Sequence, residues 1–309
     1  MLPAMTEPHP ASRAARARVV LGVIGGSGLY QMPGLADVER VEVHTPFGAP
    51  SGPLTVGNFS RPDAPPLKTV FVPRHGEGHH VLPGEINARA NVHALKQLGV
   101  THIVSVSAVG SLQERIAPGD VVLPTQFIDR TKGRDSTFFG EGVVAHVQFG
   151  DPVDAGLVSV LRESLADATV EVHDDATMIV MEGPAFSTRA ESELYRRWGA
   201  DIIGMTALPE AKLAREAEMA YAILATSTDY DCWHDGAEEV SVEAVMAVLR
   251  ANVALAQATV RGLASRLPTH VDALPYPESL AHAIMTAPDK IPPHRREALD
   301  LLIGHYLPT

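Results

Sequence analysis

The sequence predicts a single α/β domain with a mixed, mostly parallel β-sheet flanked by helices. Three observations carry that prediction. Short, β-branched apolar runs alternate with amphipathic helical stretches along most of the chain. No internal repeat and no low-complexity linker breaks the alternation. At 45% hydrophobic and 20% charged, the 309 residues carry enough apolar content for a full core, which excludes wholesale disorder.

The elements follow in order. Residues 1–18 hold Arg13, Arg16 and Arg18 among alanines and prolines and read as a flexible tail. A signal peptide would need a longer apolar stretch than residues 19–24, which run straight into glycines. That run is a buried strand closed by Gly25-Gly26-Ser27-Gly28. Strands are expected at 41–43, 54–56 and 68–73. Residues 87–98 place Ala90, Val92, Ala94, Leu95 and Leu98 on one helical face, and Gly99 stops that helix. Strands at 101–106 and 120–124 precede a helix at 152–168. A strand at 176–180 leads to a helix at 187–198, with Ser187 as its N-cap. A short strand at 201–203, a helix at 209–217 and a strand at 221–226 come next. Residues 241–267 form a long helix, where Ser241, Glu243 and Glu238-Glu239 suit a capped, dipole-matched start. A proline-rich polar stretch then separates the domain, residues 19–267, from a C-terminal helical extension, residues 268–309.

Composition narrows the function. With 37 acidic and 25 basic residues, the net charge of −12 opposes a nucleic-acid partner, which needs a basic footprint. A small anion would have to be held locally, against the global field. The single Cys232 excludes an intrachain disulfide framework and a cysteine-rich metal centre. No segment has the roughly 18–20 consecutive apolar residues of a membrane helix, so the expectation is a cytoplasmic protein with no membrane partner.

Ligands of open α/β sheets bind outside the carboxyl ends of strands. Five such ends here carry small, polar or basic residues: Gly25 to Gly28, Arg74-His75-Gly76, Ser107 to Ser111, Gly204-Met205-Thr206, and Thr228 to Asp231. The glycine loop fails the dinucleotide fingerprint, because Gln31 stands where its third glycine belongs, and the P-loop pattern is absent. It reads either as a plain tight turn or as backbone N–H groups facing an anion. Arg74 offers a planar fork for phosphate or carboxylate. Ser27, Ser107 and Thr206 are each weak alone but add donors for the same dianion. Asp229 and Asp231, two apart on an extended chain, face one side. They are either two solvated turn residues or a pair in which one carboxyl is held protonated by the other. His75, His79 and His80 lack a metal-ligand spacing, so no metal is expected.

Eight motifs occur in order: IGGSGL (24–29), TPFGAPS (45–51), RHGEGH (74–79), SAVGSL (107–112), PGDVVLPTQFIDRT (118–131), EGPAFSTRAE (182–191), GMTALPEAKLA (204–214) and TDYDCW (228–233). The series resembles the trimeric purine nucleoside phosphorylase superfamily, in its S-methyl-5′-thioadenosine phosphorylase branch, over residues 19–263. The resemblance implies a nucleoside phosphorylase-like fold and a homotrimer. It implies reversible phosphorolysis of S-methyl-5′-thioadenosine to adenine and 5-methylthioribose 1-phosphate, as in methionine and purine salvage, with inorganic phosphate as co-substrate and no cofactor. By the same resemblance, Ser27, Arg74, His75, Ser107, Ala108 and Thr206 would hold phosphate. Met205 would meet the ribose, and Phe186 and Ser187 would flank the base or sugar. Asp229 would hydrogen-bond N7 and act as the general acid, or hold the proton donor, and Asp231 would accept from the 6-amino group. Val242, Val245 and Met246 would line the methylthio pocket, with His79 and a neighbouring subunit's copy of His146 closing the 5′ end.

Two positions depart from the branch. Gly204 before Met205 resembles the 6-oxopurine enzymes, and Val109 replaces a smaller residue or cysteine. The alternatives are therefore a 6-oxopurine or methylthioinosine phosphorylase, a phosphate-independent hydrolase and, in another class, a non-catalytic nucleoside-binding module.

Overall fold

The computed structural model describes residues 17–26, 28–29, 32–234, 242–273 and 277–308, with the backbone alone at 242–250 and 273. Its strands are β1 (Leu21–Gly25), β2 (Leu35–Val41), β3 (Leu54–Arg61), β4 (Ala64–Pro73), β5 (His102–Ser111), β6 (Val121–Arg130), β7 (Val172–Met181), β8 (Ile202–Gly204) and β9 (Ala220–Tyr230). They form one sheet in the order β2-β3-β4-β1-β5-β8-β7-β6-β9, and β5 also pairs with β9. That last pairing closes β5, β8, β7, β6 and β9 into a ring, so the sheet is part barrel. The β1–β4, β1–β5, β5–β9, β6–β7 and β7–β8 pairs are parallel. The β2–β3, β3–β4, β5–β8 and β6–β9 pairs are antiparallel, which makes the sheet mixed as expected.

Ring closure explains the apolar runs. Residues 220–227 of β9 are all buried, as in a strand covered on both faces. The first hairpin strand shows the opposite. Residues 41–43 were expected to be a strand, but β2 ends at Val41 and begins at Leu35. It is an edge strand exposed along most of its length, so it carries no apolar run to mark it.

The helices are α1 (Ala88–Gln97), α2 (Ala155–Glu163), α3 (Arg189–Arg197), α4 (Ala207–Glu216), α5 (Val242–Arg266), α6 (Pro293–Ala298) and α7 (Asp300–Ile303). Asn87 caps α1 by accepting from the Ala90 N–H, and Gly99 leaves the helix at φ 83°. The cap of α3 is Thr188, not Ser187. Thr188 and Glu191 form a reciprocal capping box, while the Ser187 hydroxyl turns to the Met181 sulfur 3.7 Å away. The capping residues expected for α5 lie outside the described residues.

Two core layers cover the sheet. One joins α1 and α4 to β-strand residues such as Ile24, Val72 and Ile103, and it includes Leu280, Ile291, Leu299, Leu302 and Ile303 from the C-terminal segment. The other packs α2 and α5 against the opposite face through Leu157, Leu161, Val260 and Leu263. Glu218 fastens the C-terminal segment, accepting from the Leu280 N–H at 2.9 Å and the Tyr306 hydroxyl at 2.8 Å. Among the described residues no helix is long and apolar enough to cross a membrane.

Candidate active site

Parallel pairing of β4, β1, β5 and β9 brings their carboxyl ends to one rim. The β5–β8 register, Gly110 opposite Ile203, sets the end of β8 beside them. A cavity of about 850 Å³ opens there, large enough for a nucleoside with an anion. Arg74, His75, His79, Ser107, Ala108, Phe186, Met205, Thr206, Asp229 and Asp231 all line it. Residues from five separate sequence motifs thus share one chamber.

At the β1–β4 end the hydroxyls of Ser107 and Thr206 lie 3.4 Å apart. Ala108 is exposed to the cavity. Arg74 is 3% exposed, and most of its donors are already taken. Its Nε donates to Glu210 Oε1 at 2.6 Å, and one Nη1 hydrogen goes to the Val106 carbonyl at 2.9 Å. Its Nη2 lies 2.6 Å from Ser105 Oγ and 3.3 Å from both Glu210 Oε2 and the Ile24 carbonyl. Ser105 and Tyr221 donate to the same Glu210 oxygen at 2.9 and 3.2 Å. The Arg74 charge is therefore neutralised inside the protein, while Arg74 still borders the cavity and Nη1 makes one hydrogen bond among the described residues. The His75 ring meets the Val81 carbonyl through Nδ1 at 2.9 Å and stacks on His79 at 4.3 Å. Burial, with the adjacent Arg74 charge, lowers the His75 pKa and favours its neutral form.

At the β9 end a register shift between Val109 and Gly110 sets Asp229 opposite Gly110. A Cβ on Gly110 would lie 3.2 Å from Asp229 Oδ1 and 3.6 Å from the Asp231 Cβ. The missing side chain is what lets both aspartates close over β5. Thr228 donates to Asp229 Oδ2 at 2.7 Å. The cavity wall strips water from the Asp229 carboxyl and raises its pKa, and the Asp231 charge raises it further against the Thr228 bond. Asp231 is buried, and its Oδ2 has no partner among the described residues. Trp233 anchors the segment, with Nε1 donating to the Ser111 carbonyl at 2.8 Å and Arg196 lying 3.5 Å from its ring centroid. Cys232 donates to the Ser187 carbonyl, and burial pushes its thiol pKa up, which disfavours the thiolate.

Other expected residues stand elsewhere. Ser27 and the side chains of Val242, Val245 and Met246 lie outside the described residues. Ser187 is buried behind the wall, not on it. His146 is exposed and away from this cavity, where its N–H donates to the Ala283 carbonyl. Phe186 is 82% exposed at the mouth. The two departures from the branch pattern meet in space: a Cβ on Gly204 would lie 3.3 Å from Val109 Cγ1 and 2.5 Å from Met178 Cε. The larger Val109 fills room that Gly204 leaves.

Three further residues had no role in the sequence reading. Glu210 holds Arg74. Arg134 clamps the Met205 turn, with Nη1 donating to the Met205 and Leu208 carbonyls at 2.6 and 2.8 Å and Nη2 to the Glu182 carbonyl at 2.6 Å. Asn252 lines the cavity from α5. Each is a polar residue inside an apolar or glycine-flanked stretch, the one local sign of a specific partner.

The Phosphorylase superfamily model matches residues 20–265. An S-methyl-5′-thioadenosine phosphorylase of Geobacter sulfurreducens is 52% identical over 289 residues, covering 93% of this chain and 99% of its own. A solved methylthioadenosine phosphorylase, sourced from an Antarctic soil metagenomic library, superposes with a TM-score of 0.85 at 43% identity, covering 93% of this chain and 99% of its own. A variant of the Schistosoma mansoni adenosine/methylthioadenosine phosphorylase, in complex with methylthioadenosine, superposes with a TM-score of 0.73 at 36% identity, covering 80% and 91%. Matched in sequence and in fold over nearly all of its length, the chain belongs to the S-methyl-5′-thioadenosine phosphorylase family of the phosphorylase superfamily.

Proposed function

We propose that this protein catalyses phosphorolysis of S-methyl-5′-thioadenosine, giving adenine and 5-methylthioribose 1-phosphate. One observation carries the reading. A single cavity has hydroxyl, backbone and guanidinium donors at one end and two carboxyl groups, with no cation beside them among the described residues, at the other. Phosphate is held under C1′ by Ser107, Thr206, the Ala108 backbone and Arg74. As the C1′–N9 bond breaks, its electron pair goes to the purine and a phosphate oxygen bonds to C1′. Asp229, whose pKa desolvation raises, acts as the acid that gives a proton to N7. The chemistry is positioning and charge placement, with no covalent enzyme intermediate.

Asp231 sets the base. Its unpartnered oxygen accepts from a 6-amino group, whereas a 6-oxo group would set two acceptors against each other. The neighbour-facing part of the proposal is a cytoplasmic homotrimer. The paired segments 144–146 and 283–285 expose Val144 and Met285 at 47% and 66% beside His146, an apolar surface suited to a second copy whose 5′ end His146 would close.

The test is a nucleoside panel with and without phosphate, read as base released. Adenine released from S-methyl-5′-thioadenosine only when phosphate is present is expected. Inosine turning over faster overturns the substrate assignment, and turnover without phosphate overturns phosphorolysis.

A further inference from the structure

We propose that Asn252 is a further binding residue of this cavity, donating from its carboxamide Nδ2 to the phosphate co-substrate. The inference rests on the phosphorolytic reading above. Asn252 is 8% exposed, lines the cavity, and its Nδ2 has no hydrogen-bond partner among the described residues. A buried N–H group left unpaired is costly, and because Asn252 borders the cavity, a small turn of its carboxamide would offer Nδ2 a partner there.

Position along α5 says which part of the ligand that partner belongs to. The same stretch of helix is fastened to the glycine loop: Gln257 Nε2 donates to the Gly28 carbonyl at 2.8 Å, and Val253 Cγ1 lies 3.0 Å from where a Cβ on Gly28 would stand. The base of that loop is joined to Arg74, whose N–H donates to the Gly25 carbonyl at 3.0 Å and whose Nη2 approaches the Ile24 carbonyl. In the strand order, β4 and β1 lie on one side of β5 and β9 on the other. Asn252 therefore stands with Arg74 and the glycine loop, while Asp229 and Asp231 stand across β5.

The local chemistry calls for such a donor. Glu210 cancels the Arg74 charge and uses its best-placed hydrogens. The dianion must then be held largely by neutral N–H and O–H groups within an acidic protein. A carboxamide supplies N–H donors without a charge that would need its own counter-ion.

The experiment begins with the unaltered enzyme, whose dependence on phosphate tests the parent reading by itself. If that dependence holds, Asn252→Ala and Asn252→Asp are compared by separate KM values for phosphate and nucleoside, with inorganic sulfate as a competing dianion. Asn252→Ala is expected to raise the phosphate KM and the sulfate inhibition constant roughly tenfold to a hundredfold, the loss of one hydrogen bond to a charged group, with nucleoside KM within about threefold. Asn252→Asp, close in shape, is expected to raise both constants further, because a carboxylate then faces the dianion. It carries the test alone if the alanine variant does not fold. An unchanged phosphate KM, or a rise confined to the nucleoside, overturns the role of Asn252 while leaving phosphorolysis intact. An unaltered enzyme indifferent to phosphate overturns both.

Discussion

The two ends of the cavity handle charge in opposite ways. At the β1–β4 end the one guanidinium among the described lining residues, Arg74, is buried against Glu210 and closed into a network with Ser105 and Tyr221. At the β9 end Asp229 and Asp231 share a wall with no ion-pair partner among the described residues. The first arrangement holds donors rigid. A buried ion pair adds little net stability, but it locks geometry when every hydrogen bond is made. The second raises the pKa of a carboxyl, first through desolvation. The proposed division of labour, anion binding at one end and proton supply at the other, rests on that contrast.

The largest expected effect breaks the contrast at the proton end. Asp229→Asn keeps shape and hydrogen bonding but removes the transferable proton, so kcat on S-methyl-5′-thioadenosine should fall by about 10²–10⁴, with phosphate KM little changed. Steady-state rates decide it, and turnover within threefold of the parent enzyme would remove Asp229 from the role of acid. Glu210→Gln breaks the other end. It leaves a buried guanidinium without its counter-charge and should cost about 3–5 kcal/mol in urea unfolding. A loss below about 0.5 kcal/mol would show that Glu210 is not what holds Arg74.

The same contrast separates what could be read in the sequence from what could not. The strands of the ring are covered on both faces, so they stand out as apolar runs, and their polar ends mark the rim. Arg74, Ser107, Thr206, Asp229 and Asp231 were legible for that reason. Ring closure itself was not, because the β5–β9 and β6–β9 pairings join strands distant in sequence. Nor was β2, whose exposed edge position removes the hydrophobic signal. Glu210 acts through partners that only the fold supplies, and only the fold places Asn252 at the cavity. The signs they leave are polar interruptions, Glu210 between Pro209 and Ala211 and Asn252 between Ala251 and Val253. Ser187 misled because two adjacent hydroxyl residues can each cap α3, and the glutamate of the capping box stands three residues after Thr188.

The smallest effect sharpens the comparison by altering the proton end without removing its acid. On the proposed reading Asp231 does two things to the site: it accepts from the base, and its charge adds to the rise in the Asp229 pKa that burial causes first and the Thr228 bond opposes. Asp231→Asn keeps the shape and removes the charge. The sign follows directly. A raised carboxyl pKa means that the folded site holds its proton to higher pH than the free side chain does. Taking away the Asp231 charge lets that proton leave at lower pH, so the basic limb of the kcat/KM profile should move to the acid side. The carboxamide can also turn its N–H toward a 6-oxo group, so the preference for S-methyl-5′-thioadenosine over methylthioinosine should shrink by on the order of tenfold. The two readouts are independent. A shifted limb with unchanged preference would leave Asp231 as an electrostatic neighbour of Asp229 only. A changed preference on an unmoved limb would mean that burial alone holds the Asp229 proton.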